Sequence, residues 1–229
     1  MGWKASTIII HKPTEINNEK LLQELGFDNL RKIEDEPFEI AIYPDNHKVY
    51  IGTYKDNLLI CASDLPMHFF EENKTSTEKI LYRLFPNSEI CSIILQSTVN
   101  LWGYSVSVNG QKIRARAGSS DDGTFIELGE PLDEEKELLS KSKVDENGNR
   151  IYLLDEFPDE PFNEAQVGEN FVFLICKRYF EEELDSADEL LFETNLTGYK
   201  YSKLKHIETE KNKRQETANS DIKPWWKFW

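Results

Sequence analysis

Apolar and polar positions alternate along the chain in short, distinct blocks. STIII (6–10) is a β-branched apolar run and predicts a buried strand. NNEKLLQELG (17–26) predicts a helix, with Asn17 or Asn18 as cap, Leu21, Leu22 and Leu25 on one face, and Gly26 as terminator. FEIAIY (38–43) and HKVYIGTY (47–54) alternate as half-exposed strands do, with PDN as the turn between them, and LLICAS (58–63) adds another strand. STEKILYRLF (76–85) has helical spacing, Ser76 as cap and Pro86 as stop. EICSIILQS (89–97) is a long apolar strand.

The strongest local pattern is NLWGYSVSVNGQKIRARAGS (100–119). Asn109-Gly110 supplies the positive φ angles of a type I′ turn, and both flanks alternate, so a hairpin is predicted. Across it, Tyr104, Val106 and Val108 pair with Lys112, Arg114 and Arg116 or with the intervening set, depending on face. TFIEL (124–128) is a further strand. PLDEEKELLSKSK (131–143) opens a helix with acids in its first turn, which suits the helix dipole. Residues 143–162 read as loop with one hairpin, 167–184 as a helix by length, and 190–201 as a short final hairpin. The fold class that follows is α+β, a largely antiparallel sheet with helices packed on it, in one domain over residues 1–201. A flexible polar linker is expected over 202–222, where apolar residues are few and unperiodic, and an aromatic tail over 223–229.

The stretch 97–135 resembles an uncharacterised bacterial family, a domain of unknown function. Its members open with Met-Gly-x-Lys and carry a Ser-x-Val-Asp/Asn pattern, an Asn-Gly hairpin, an Arg, and Gly-Glu-x-Leu-x-x-Glu. Here Met1, Gly2 and Lys4 match the opening. Ser97, Val99, Asn100, Asn109, Gly110, Arg114, Asp121 or Asp122, Gly123, Gly129, Glu130, Leu132 and Glu135 match the rest. Histidines that precede the Ser-x-Val stretch in members are replaced by Ile94, Leu95 and Gln96, so any chemistry resting on them is missing here. The resemblance implies a bacterial origin and no mechanism.

Charge narrows the partners. The net charge is −15 over 229 residues, which repels nucleic acid and attracts basic proteins. Cys61, Cys91 and Cys176 each lie in an apolar run. Their odd number and wide spacing predict reduced, buried thiols in a cytoplasmic setting. No stretch has the length of a membrane-spanning helix.

Candidate chemistry is sparse. Asp64, His68 and either Glu71 or Glu72 would share a helix face as a metal trio, but Pro66 and solvation of the acids favour a plain surface. Asp145, Asn147, Asn149 and Glu156 imitate a calcium loop, yet Arg150 stands where its glycine belongs, and a hairpin turn explains the same residues. No Walker loop, dinucleotide fingerprint or nucleophile elbow is present, so no cofactor is expected and no catalytic residue can be assigned. Arg114 and Arg116, at alternate positions of one strand, could clamp an anion with Ser97 and Asn100; an exposed strand face balanced by acids is the plainer reading. The segment KPWWKFW (223–229) concentrates Trp225, Trp226, Phe228 and Trp229 beside Lys223 and Lys227. Such rings dominate interface energies, so the expected function is that of a binding or adaptor protein, one version being an immunity-type protein. Its docking target is a partner protein, a membrane surface, or the chain's own domain or a sister copy. A small-anion site or enzyme at the two arginines is the alternative.

Overall fold

Strand β1 (Lys4–His11) explains the run STIII. Ile8 and Ile10 enter one core while Ala5 and Ile9 enter another on the opposite face, so nearly every position is buried. Such a strand belongs in the middle of a sheet covered on both sides. The computed structural model describes residues 2–146, 148, 150–155 and 157–205. The expected aromatic segment 223–229 and all but the first four residues of the linker lie outside them, as do Asn147, Asn149 and Glu156.

After β1 come α1 (Asn18–Glu24), the short strands β2 (Phe27–Asp28), β3 (Arg31–Lys32) and β4 (Glu36–Pro37), and α2 (Phe38–Ala41). Then follow β5 (Lys48–Tyr54), β6 (Asn57–Ala62), a 3-10 turn at Pro66–Phe70, α3 (Ser76–Leu84) and β7 (Glu89–Gln96). The second half carries β8 (Leu101–Val108), β9 (Gln111–Ser119), β10 (Gly123–Leu128), α4 (Asp133–Ser140), β11 (Ser142–Val144), β12 (Arg150–Leu153) and β13 (Pro161–Asn163). The long helix α5 (Glu164–Phe180), a π turn at Glu189–Glu193, β14 (Asn195–Lys200) and β15 (Lys203–Leu204) close the described chain.

Ten strands make one antiparallel sheet in the order β10-β9-β8-β7-β1-β6-β5-β14-β3, with β4 paired to the start of β14. The core under α1, α3 and the 3-10 turn holds Ile8, Ile10, Leu21, Leu22, Phe69 and Leu81. The core under α2, α4 and α5 holds Ile9, Phe38, Trp102, Tyr104, Leu138 and Phe171. The α+β class is therefore realised as a central antiparallel sheet with helices on both faces.

Four sequence expectations change. FEIAIY is not a strand: Phe38, Ala41 and Ile42 are buried and Ile40 is exposed, so the i, i+3, i+4 spacing wins over the alternation. The helix over 76–84 is capped by Thr75 rather than Ser76; Thr75 accepts from the Glu78 N–H while the Glu78 carboxylate takes the Thr75 N–H at 2.8 Å. The hairpin expected over 190–201 is a π turn followed by a single strand, which inserts between β5 and β3. The domain runs past 201, because β15 pairs with β2 and buries Leu204.

Candidate functional site

Strand β9 carries the cations singled out from the sequence. The turn before it has Asn109 at φ 50° and Gly110 at φ 71°, as a type I′ turn requires. Opposite β8, Arg116 faces Tyr104 and Arg114 faces Val106, but Lys112 faces Ser107 and Ile113 is skipped. Ile113 is a β-bulge, and one extra residue turns everything beyond it to the other face. Lys112 therefore leaves the arginines and meets Glu78 of α3 at 3.2 Å, while Arg114 and Arg116 point under α4 and α5.

Arg114 is fully buried, and all five of its N–H groups are engaged. Nε lies 3.1 and 3.0 Å from the two carboxylate oxygens of Glu135, and Nη2 lies 2.7 Å from Glu135 Oε1. Nη1 donates to the carbonyls of Gly129 at 2.7 Å and Leu128 at 3.4 Å, and Nη2 also reaches Glu127 at 3.3 Å. Glu135 is equally buried and accepts from Tyr104 Oη at 2.5 Å and from the Leu132 N–H at 2.7 Å. It thus anchors the first turn of α4 to the sheet. Burial opposes the Arg114 charge, but the bonds to Glu135 outweigh it, and the guanidinium stays protonated. Burial, and then the neighbouring Glu135 charge, push the Tyr104 hydroxyl well above its ordinary range.

Arg116 repeats the arrangement one pair along. Its Nη2 donates to Glu164, the first residue of α5, which also accepts from Tyr152 Oη at 2.7 Å and Thr124 Oγ1 at 2.6 Å. The guanidinium lies 4.4 Å from the centre of the Phe171 ring and 5.5 Å from that of Trp102. Nε stands 3.6 Å from Glu127, and among the described residues Nε and Nη1 have no hydrogen-bond partner. Trp102 fits because Gly168 of α5 has no side chain; a Cβ there would sit 2.1 Å from the indole.

The four residues considered for anion binding are not brought together. Asn100, at φ 45° with its amide on Ser120 Oγ at 2.8 Å, and Ser97 lie at the turn before β8. Arg116 is opposite Tyr104, about 13 Å further along the strand at the usual rise, and Arg114 about 20 Å. Both arginines are buried rather than part of an exposed face, and Arg114 has no open donor. They pin two helices to the sheet, a role that buried, bidentate pairs suit. No group of three or more His, Cys, Asp or Glu suited to a metal exists among the described residues, and His68 is buried with Nδ1 2.6 Å from Thr77 Oγ1.

The sequence reading missed a surface at the other end of the sheet. Helix α2 and the π turn lie side by side, joined by the Phe38 N–H to Thr194 carbonyl bond at 2.9 Å and by β4 on β14. Their inner residues Phe38, Ala41, Leu190 and Leu191 are buried. Their outer residues Ile40 and Phe192 are each 55% exposed, and Tyr43 is 42% exposed with Lys4 Nζ 5.5 Å over its ring. Glu34, Asp35, Glu36 and Glu39 lie in β4, α2 and the two residues before them, and Asp188, Glu189 and Glu193 lie in the π turn and just before it. None of these seven acids forms an ion pair among the described residues, whereas the acids near β9 are closed against cations. The signal in sequence was two acidic runs, 34–39 and 181–193, brought together by the pairing of β4 with β14 and the contact of α2 with the π turn.

No helix among the described residues is long and apolar enough to cross a membrane. No curated protein and no solved structure matches the chain. A family model does match, over residues 12–171, which include the Asn-Gly hairpin, both arginines and Glu135. The chain belongs to that family, described as a family of unknown function (DUF6928).

Proposed function

We propose that this protein is a cytoplasmic binding or adaptor protein, of the immunity type in one version, that engages a basic protein partner. The observation that carries the reading is the face formed by α2 and the π turn, where the exposed Ile40, Tyr43 and Phe192 share the same segments with seven acids that form no ion pair among the described residues. Exposed apolar side chains in segments rich in acids have the form of a contact surface: the rings and the isoleucine give contact area, and the acids steer and select. Clustered acids also repel one another, and a cationic partner relieves that repulsion. The aromatic segment 223–229, with four rings and two lysines, is a second contact element for the partner. The three cysteines are free and buried, as suits a reducing compartment.

The reading of Arg114 and Arg116 as an anion clamp or enzyme site has less support, since Arg114 has no N–H left for a ligand. The test is affinity capture from source cells with the full chain as bait, beside Ile40→Ser/Phe192→Ser and Glu36→Lys/Glu39→Lys/Glu193→Lys variants. A basic protein held by the unaltered chain and released by both variants, and by salt of about 1 M where the screening length falls to about 3 Å, supports the proposal. Equal retention by all three chains overturns it.

A further inference from the structure

The contact face and the aromatic segment have complementary chemistry within one chain. The face offers Ile40, Tyr43 and Phe192 in segments that carry seven acids with no ion pair among the described residues. The segment offers Trp225, Trp226, Phe228 and Trp229 spaced by Lys223 and Lys227, and Lys211, Lys213 and Arg214 lie in the residues leading to it. We infer that segment 223–229 of the same chain occupies this face in the free protein and leaves it when a partner binds. The inference rests on the proposed binding role of the face and adds how it is regulated.

Reach favours it. The described chain ends at Lys205, just past β15, on the β14 edge of the sheet. The face sits at the opposite end of β14, where β4 pairs with Asn195 and Leu196. Six residues of strand separate the two ends, about 20 Å. Seventeen residues, 206–222, lie between Lys205 and Lys223. Such a length spans roughly 20–25 Å on average as a coil and up to about 60 Å when extended, so the segment reaches the face without strain. Tethering at this length sets an effective concentration on the order of 1 mM. A contact of only about 0.1 mM dissociation constant would then be closed roughly ten times more often than open. Aromatic rings on exposed apolar side chains, with lysines against nearby acids, suit a contact of that strength.

The experiment is hydrogen exchange on the full chain and on a chain stopped after Ile222, with backbone amides of residues 38–43 and 189–194 followed. Exchange there is expected to be about tenfold slower in the full chain. Phe192→Ser, Ile40→Ser and Trp225→Ala/Trp226→Ala should each abolish the difference, as should salt of about 1 M. All of these side chains are exposed or outside the described residues, and unchanged melting temperatures confirm that the fold is intact. A synthetic peptide of residues 223–229 should bind the shortened chain and slow the same amides. Equal exchange in the two chains overturns the inference, whatever the capture experiment gives. Protection that grows with protein concentration also overturns it, because a second copy then supplies the segment. Protection in the full chain with no partner captured through the face would uphold the contact and remove the binding role on which its meaning rests.

Discussion

Replacing Glu135 by Gln keeps its shape and removes its charge. The carboxylate takes Arg114 Nε and Nη2, Tyr104 Oη and the Leu132 N–H. An amide offers one oxygen to these donors and turns an NH₂ toward one of them. Arg114 is then a buried cation whose nearest remaining acid is Glu127, 3.3 Å away and 46% exposed. Breaking one side of a buried pair costs about 3–5 kcal/mol. Glu127 moderates the loss, so a value near 3 kcal/mol is expected, or a melting temperature lower by about 6–12 °C for a chain of this size. The double change Arg114→Met/Glu135→Leu removes both charges at once. It leaves Tyr104 Oη and the Leu132 N–H without an acceptor, at about 1 kcal/mol each, so it should fall within about 2 kcal/mol of the unaltered protein. Urea unfolding followed by circular dichroism on Glu135→Gln, and on the cycle formed by the unaltered chain, Arg114→Met, Glu135→Leu and the double change, measures these costs. A single change costing under about 1 kcal/mol would mean the pair behaves as if solvent-exposed. A double change equal to the sum of the singles would mean that the two residues are not coupled. Either result refutes the role of the pair as the pin of α4.

Other perturbations test the packing around it. Gly168→Ala would place a Cβ 2.1 Å from Trp102, so it should cost about 1–3 kcal/mol in urea unfolding and alter tryptophan fluorescence; a neutral effect would show that α5 can shift. Burial pushes the Cys61 thiol up to about 12 against a hydrogen bond from Thr7, and it raises Cys91 and Cys176 as well. At pH 8 a thiol reagent should therefore modify none of the three in the folded protein and all three in urea, and fast modification of the native protein would contradict their burial. Burial raises the Glu89 carboxyl, but bonds from Arg178 at 2.6 Å and Tyr179 at 2.7 Å outweigh it, so the folded value lies below the unfolded one of about 4.3. Its contribution is complete above pH 4.3 and is lost as pH falls through the folded value. Glu89→Gln should lower the urea midpoint at pH 7 and flatten the acid decline below pH 4.3; an unchanged slope would contradict this.

What could be read in the sequence was local. Asn109-Gly110 fixed the β8–β9 hairpin because the turn chemistry acts within four residues. The bulge at Ile113 could not be read, since the alternation looks the same on either side of it, and it decides which face Lys112 takes. The acids in the first turn of α4 read correctly as dipole partners, yet Glu135 faces inward to a cation on β9, a contact set by packing between distant segments. β14 was hidden for the same reason, because its partners β5 and β3 precede it by over a hundred residues. Joining the acidic runs 34–39 and 181–193 into one face required that pairing, so neither run signalled a surface alone.

The binding role is tested most directly by crosslinking in source cells, with a photoreactive benzophenone residue in place of Phe192 and, as control, in place of Val144, which is 67% exposed on β11. Illumination should join a basic protein to the chain from position 192 and not from position 144. Adducts from neither position, or the same adducts from both, would contradict the assignment of the face between α2 and the π turn as the contact surface.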